Sequence, residues 1–166
     1  MWSKGAALCA LSFLLVGGVE AQESRVAFVS AERVLREAAP AKAATVKIQQ
    51  EFSKREKDLQ DMGGRLKSMY DKLDKDAAVL SDSERAKRQR ELADLEKDLQ
   101  RKQREFREDL NQRQNEELAI VQERVTKVIK QIADQEKYDL VVQEAVYVNQ
   151  RIDITDKVLK ALNGGK

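Results

Sequence analysis

The sequence predicts a mostly α-helical protein: a small β-containing body from which a long antiparallel helical coiled-coil hairpin projects. Three observations predict it. Residues Ala41 to Lys137 form one stretch of charged residues with spaced Leu, Met, Phe and Val. The strand-like runs lie only at the two ends of the chain. Across 166 residues, 42% are apolar, 36% charged and 5% aromatic, a composition too charged and too poor in rings for one large globular core.

The first element is an export signal over residues 1–21. Lys4 supplies the positive end, Ala6 to Val16 is apolar but shorter than the roughly 20 residues a membrane span needs, and Val19-Glu20-Ala21 suits a signal peptidase. The mature chain then starts at Gln22. A retained anchor is the other reading, against which Gly17-Gly18 interrupts the apolar run. Cys9, the only cysteine, lies inside that run without the small residue expected before a lipidated cysteine.

Arg25 to Ser30 is β-branched and aromatic, a strand candidate. Ser30 is placed to cap a short helix over Ala31 to Ala38. Pro40, the only proline, stands where a long helix begins, a position that tolerates its missing N–H. From there Phe52, Leu59, Leu66, Leu73 and Leu80 recur every seven residues, with Ile48, Met62 and Met69 at the complementary position, the narrow seam of a coiled coil. Ser81-Asp82-Ser83-Glu84 fits a capping box opening a second helix, so the tip of the hairpin lies near 80–83. The second seam runs through Leu92, Leu95, Leu99, Phe106 and Leu110, then Leu118, Val121, Val125, Val128 and Ile132, with a change of spacing between Phe106 and Leu118 that locally unwinds a supercoil. Gly63-Gly64 lowers helix stability by roughly 1 kcal/mol per residue relative to Ala. It is either a neutral surface position or an arm hinge.

After the arm (40–137), Tyr138 to Val142 and Ala145 to Asn149 are two strand-like runs joined by Gln143-Glu144, short enough for a hairpin turn. A last helix over Lys157 to Leu162 stops at Asn163-Gly164-Gly165. The body, 22–39 with 138–166, totals fewer than fifty residues, too few to bury a stable core alone. It is therefore expected to oligomerise through Val26, Phe28, Leu140, Val142, Val146 and Val148, since its strands carry apolar residues on both faces.

Several function classes fall away. Lys and Arg number 31 against 29 Asp and Glu, a net charge of +2, which argues against a dedicated nucleic-acid binder. With no His and no Cys beyond Cys9, imidazole bases, thiolate nucleophiles and His or Cys metal sites are unavailable to the mature chain. The acidic pairs Glu116-Glu117 and Glu105 with Asp109 read as helix surface amid compensating bases. No enzyme and no cofactor is expected.

The order of signal, short strand, charged hairpin and the block Tyr138-Asp139-Leu140-Val141-Val142, Tyr147 and Asp153-Ile154-Thr155-Asp156-Lys157-Val158-Leu159-Lys160 resembles the Skp (OmpH-like) family of periplasmic chaperones. The resemblance implies a homotrimer with a β-barrel body, whose three arms enclose a cavity that holds unfolded outer-membrane proteins without ATP. Independently, Met side chains beside long Lys and Arg stems offer adaptable apolar surface for many weak contacts. Met62, Met69 and Tyr70 are the candidate client contacts, with seam packing the other reading for the two Met. Arg85, Lys87, Arg88 and Arg90 form a basic cluster near the tip, either a contact for anionic lipid or lipopolysaccharide or a solvated helix face. A structural coiled-coil spacer or scaffold of the cell envelope is the alternative to the chaperone reading.

Overall fold

In the computed structural model, which describes residues 24–164, two short strands from opposite ends of the chain pair at the foot of a long helical hairpin. The expected export signal over residues 1–21, with Cys9, and Gly165 lie outside the described residues. Strand β1 is Val26–Phe28, helix α1 Ala31–Glu37, α2 Ala39–Lys75, α3 Asp82–Glu136, β2 Leu140–Val142 and α4 Thr155–Gly164, with a single 3₁₀ turn at Gln150–Ile152 before α4.

The helix boundaries follow local chemistry. The Ser30 hydroxyl accepts from the Arg33 N–H and opens α1. Pro40 sits in the first turn of α2, and Ala38 offers no side-chain cap there. The missing cap comes from the far end of the chain: the Asn163 side-chain oxygen accepts from the Ala39 N–H at 2.7 Å. At α3, Ser81 and Glu84 form the reciprocal capping box. Helix α2 stops at Lys75, so Leu80 lies in the connection and not on the helical seam as the heptads suggest. Asp76 ends the helix, its carbonyl accepting from the N–H groups of Val79 and Leu80.

The strands pair in parallel, Val26 opposite Leu140, Ala27 opposite Val141 and Phe28 opposite Val142. Ala27 and Val29 turn inward onto a core completed by Val34, Ala38, Ile154, Val158, Leu159 and Leu162, and by Val121, Val125, Ile129 and Ile132 from the root of α3. The two chain ends thus do not build the core alone, which corrects the argument from an undersized body. Ile129, absent from the expected seam, is buried beside the half-buried Val128.

The block Asp153–Lys157 acts as a clasp. Thr155 is fully buried, its hydroxyl accepting from the Ser30 N–H at 2.9 Å and donating to the Asp153 carboxylate at 2.5 Å. The Ile154 N–H donates to the Phe28 carbonyl, Asp156 pairs with Arg33 and Lys157 with Glu136. Strand, first helix, long helix and last helix are joined within five residues.

Lys137, which terminates α3, is the only non-glycine residue with positive φ among the described residues, at φ 55° and ψ 49°. A side chain there costs about 1 kcal/mol relative to glycine. Lys137→Gly should raise the free energy of unfolding by that order, read as a higher urea midpoint at fixed protein concentration; an unchanged or lowered midpoint would show that the Lys137 side chain compensates for its backbone.

Candidate functional site

The outward face of the sheet is the first surface. Val26 and Phe28 alternate with the buried Ala27 and Val29 and meet Leu140 and Val142 in register, so four apolar side chains share one face. Leu140 is 54% exposed and its neighbours half-buried. The expected second strand, Ala145 to Asn149, does not form. Residues 143–149 run outside the sheet with Val146 and Tyr147 fully open to solvent and Val148 half-buried. A strand requires a partner for its N–H and C=O groups, and Gln143-Glu144 do not turn this segment back onto β2. Val146 and Phe28 nevertheless line the same open groove.

The arm is the second surface. Phe52 and Phe106 meet edge to face with centroids 5.7 Å apart, and the Arg55 guanidinium lies over both rings while pairing with Asp109 at 2.7 Å. Arg55 thus contributes packing and charge at one layer. Met62 lines a groove with Leu59, Phe106 and Lys102, and Met62 and Met69 are both half-buried on the seam side. Tyr70 is 47% exposed and donates its hydroxyl to Glu96 at 3.3 Å.

Below that layer the seam departs from expectation. Leu118 is 41% exposed, and Glu117 is buried in its place. The acidic pair is therefore not simply helix surface. After the stutter, helical rotation carries position 117 under α2, where its carboxylate accepts from Lys47 at 2.7 Å and from Arg113 at 2.5 Å. Arg113 also reaches Glu51 and Glu116. The hydrogen bond from Lys47 holds the Glu117 carboxyl below the usual carboxylate range against the opposing effect of burial. The surrounding bases in the sequence are the signal that finds this residue; its burial is not legible without the partner helix.

At the tip, the basic cluster divides. Arg88 pairs with Asp76 at 2.6 Å and Arg85 donates to the Ala77 carbonyl, so two of the four cations fasten the turn. Lys87 and Arg90 are exposed on the helix, and Val79 in the connection before it is 84% exposed. Gly63 and Gly64 lie within the unbroken helix α2, and a Cβ at either would meet nothing within 4 Å.

Residues 25–162 match the family model described as Outer membrane protein (OmpH-like). The chain belongs to the OmpH-like family. Its relatives include proteins named Chaperone protein Skp from Photorhabdus laumondii, 32% identical over 159 residues, and from Yersinia enterocolitica, 27% identical over 157 residues; each alignment covers 92% of this chain and 96% of the relative. A crystal structure of an OmpH-like protein from Caulobacter crescentus CB15 superposes with a TM-score of 0.74 over 99% of this chain and 91% of that one, at 20% identity. That likeness shows the fold: long helices with a small sheet.

Because the space around Gly63 and Gly64 is open, Gly63→Ala with Gly64→Ala should add about 1 kcal/mol of local helix stability per residue. The same pair should slow amide exchange in the surrounding turns. If the glycines act as a hinge, the stiffened arm also binds a narrower range of client sizes. Unchanged exchange together with unchanged binding of large and small clients would count against a hinge.

Proposed function

We propose that the mature chain is an ATP-independent periplasmic holdase. It trimerises through the body, 22–39 with 138–166, and its arms, 40–137, hold unfolded outer-membrane β-barrel proteins in the space between them. Residues 1–21 direct export and are removed. The observation that carries this reading is the open apolar face of Val26, Phe28, Leu140 and Val142 at the foot of a long, charged hairpin. Such a face calls for a cover, and the neighbouring Val146 and Val148 lie on a strand-like segment without a strand partner among the described residues. A second and third copy provide both, by adding strands to the sheet edge. The near-complete alignment with relatives named Chaperone protein Skp supports the chaperone role.

The arm suits a client that stays unfolded. Holding such a chain takes many weak, non-directional contacts, and the half-buried Met62 and Met69, the open ring of Tyr70 and the charged stems around them supply them. At the tip, the exposed Lys87 and Arg90 are the candidates for contact with anionic lipid or lipopolysaccharide.

Two measurements test this. Residues 22–166 should run as a trimer at micromolar concentration by light scattering, and Phe28→Asp or Val142→Asp should dissociate it by burying an unpaired charge; a wild-type monomer would remove the assembly. The sequence carries one Trp, at position 2, so in the mature protein indole emission reports on a Trp-bearing client. A urea-diluted β-barrel protein should show shifted emission and suppressed aggregation without nucleotide, with affinity falling as salt rises. Aggregation at the same rate with a molar excess of trimer would leave the envelope spacer as the better account.

A further inference from the structure

Three charge pairs cross between α2 and α3 at the root of the arm. They are Lys47 with Glu117 at 2.7 Å, Glu51 with Arg113 at 3.0 Å and Arg55 with Asp109 at 2.7 Å. Each step of four residues outward along α2 is matched by a step of four back along α3. The sign on each helix alternates from rung to rung: positive, negative, positive on α2, and the reverse on α3. We infer that these rungs are a register lock, an alternating charge ladder that fixes which residue of α2 faces which residue of α3.

The need for a lock comes from the seam itself. Between Val121, in the body core, and the Phe52–Phe106 layer, the buried position of α3 is Glu117, and half-buried Arg113 is the next toward the tip. Residues four apart lie on the same face of a helix, so a shift of four residues brings a similar face of α3 against α2, and here a polar layer replaces the knobs that would discriminate. The ladder does discriminate. Sliding α3 by four residues in one direction sets Lys47 against Arg113 and Glu51 against Asp109. Sliding it by four in the other sets Glu51 against Glu117 and Arg55 against Arg113. Either slip brings two like-charged rungs together, and like charges at close range are repulsive.

The rungs are partly exposed, Lys47 at 58% and Asp109 at 53% of their side chains. Exposed pairs contribute little to stability. Their role is to penalise the wrong alignment, as charged and buried polar positions do in coiled coils. A slip of four residues would displace one helix by about 6 Å along the other, at 1.5 Å per residue, and with it every client-facing side chain of the arm. This inference does not depend on the chaperone reading.

The test is a distance between spin labels at Gln60 and Gln89, both exposed and offset along the arm, in a Cys9→Ser background diluted with unlabelled chain. Reversing only the α2 side, Lys47→Glu with Glu51→Arg and Arg55→Glu, makes all three native rungs like-charged and turns two rungs of either slipped register into opposite pairs. The native distance should lose population to one displaced by about 6 Å. Adding Glu117→Lys, Arg113→Glu and Asp109→Arg restores the alternation and should return the native distance. An unmoved peak, or broadening without a displaced peak, in the three-position variant overturns the lock. If that variant loses helix, the six-position variant decides: recovery of helix and native distance supports the lock, and failure to recover either overturns it.

Discussion

The parallel pairing of β1 with β2 is the constraint on which the rest of the molecule depends. Parallel neighbours cannot be joined by a tight turn, and here the crossover between Phe28 and Leu140 is the entire arm. Closure entropy grows only logarithmically with loop length, by about 0.6 kcal/mol per doubling, and α2 and α3 run antiparallel, so their roots return side by side. A long excursion is therefore compatible with a small body, provided the strands are held once they meet. The Asp153–Thr155 clasp holds them. Ile154 donates to the Phe28 carbonyl, and the buried Thr155 hydroxyl is satisfied on both sides, so its burial carries no penalty for an unpaired group.

Local chemistry was legible in the sequence because its causes are local. Ser30, Pro40 and the Ser81–Glu84 box lie where helices begin, and the seven-residue repeat from Phe52 to Leu73 follows the face of α2 turned toward α3. What escaped was set by partners distant in sequence. The spacing change after Phe106 rotates α3 enough that Glu117, not Leu118, falls beneath Lys47. Asn163 caps a helix that starts more than a hundred residues earlier. Ala145 to Asn149 has the composition of a strand, yet composition names a propensity and not a neighbour.

The candidate surfaces divide in the same way. Alternation along Val26 to Val29 and along Leu140 to Val142 marks two faces, and only the fold decides that Ala27, Val29 and Val141 turn to the core while the four other side chains face outward. The tip cluster reads as one basic patch until Asp76 and the Ala77 carbonyl take up two of its arginines. Charge counts in a highly charged helix thus overstate what is available to a partner, because intramolecular pairs use part of it.

The bond from Asn163 to the start of α2 carries a consequence for the order in which the structure is made. A chain that emerges N-terminus first can wind α2 against α3 as soon as both are free, since those contacts lie within one hairpin. The body has a different schedule. β1 appears early but its partner strand, the Thr155 clasp and the Asn163 cap all belong to residues 140–163, and such distant contacts form slowly. Until those residues are delivered, Ala27 and Val29 lack the core that buries them and the foot of α2 is unfinished. A chain interrupted before α4 thus has an arm but no means of closing its base.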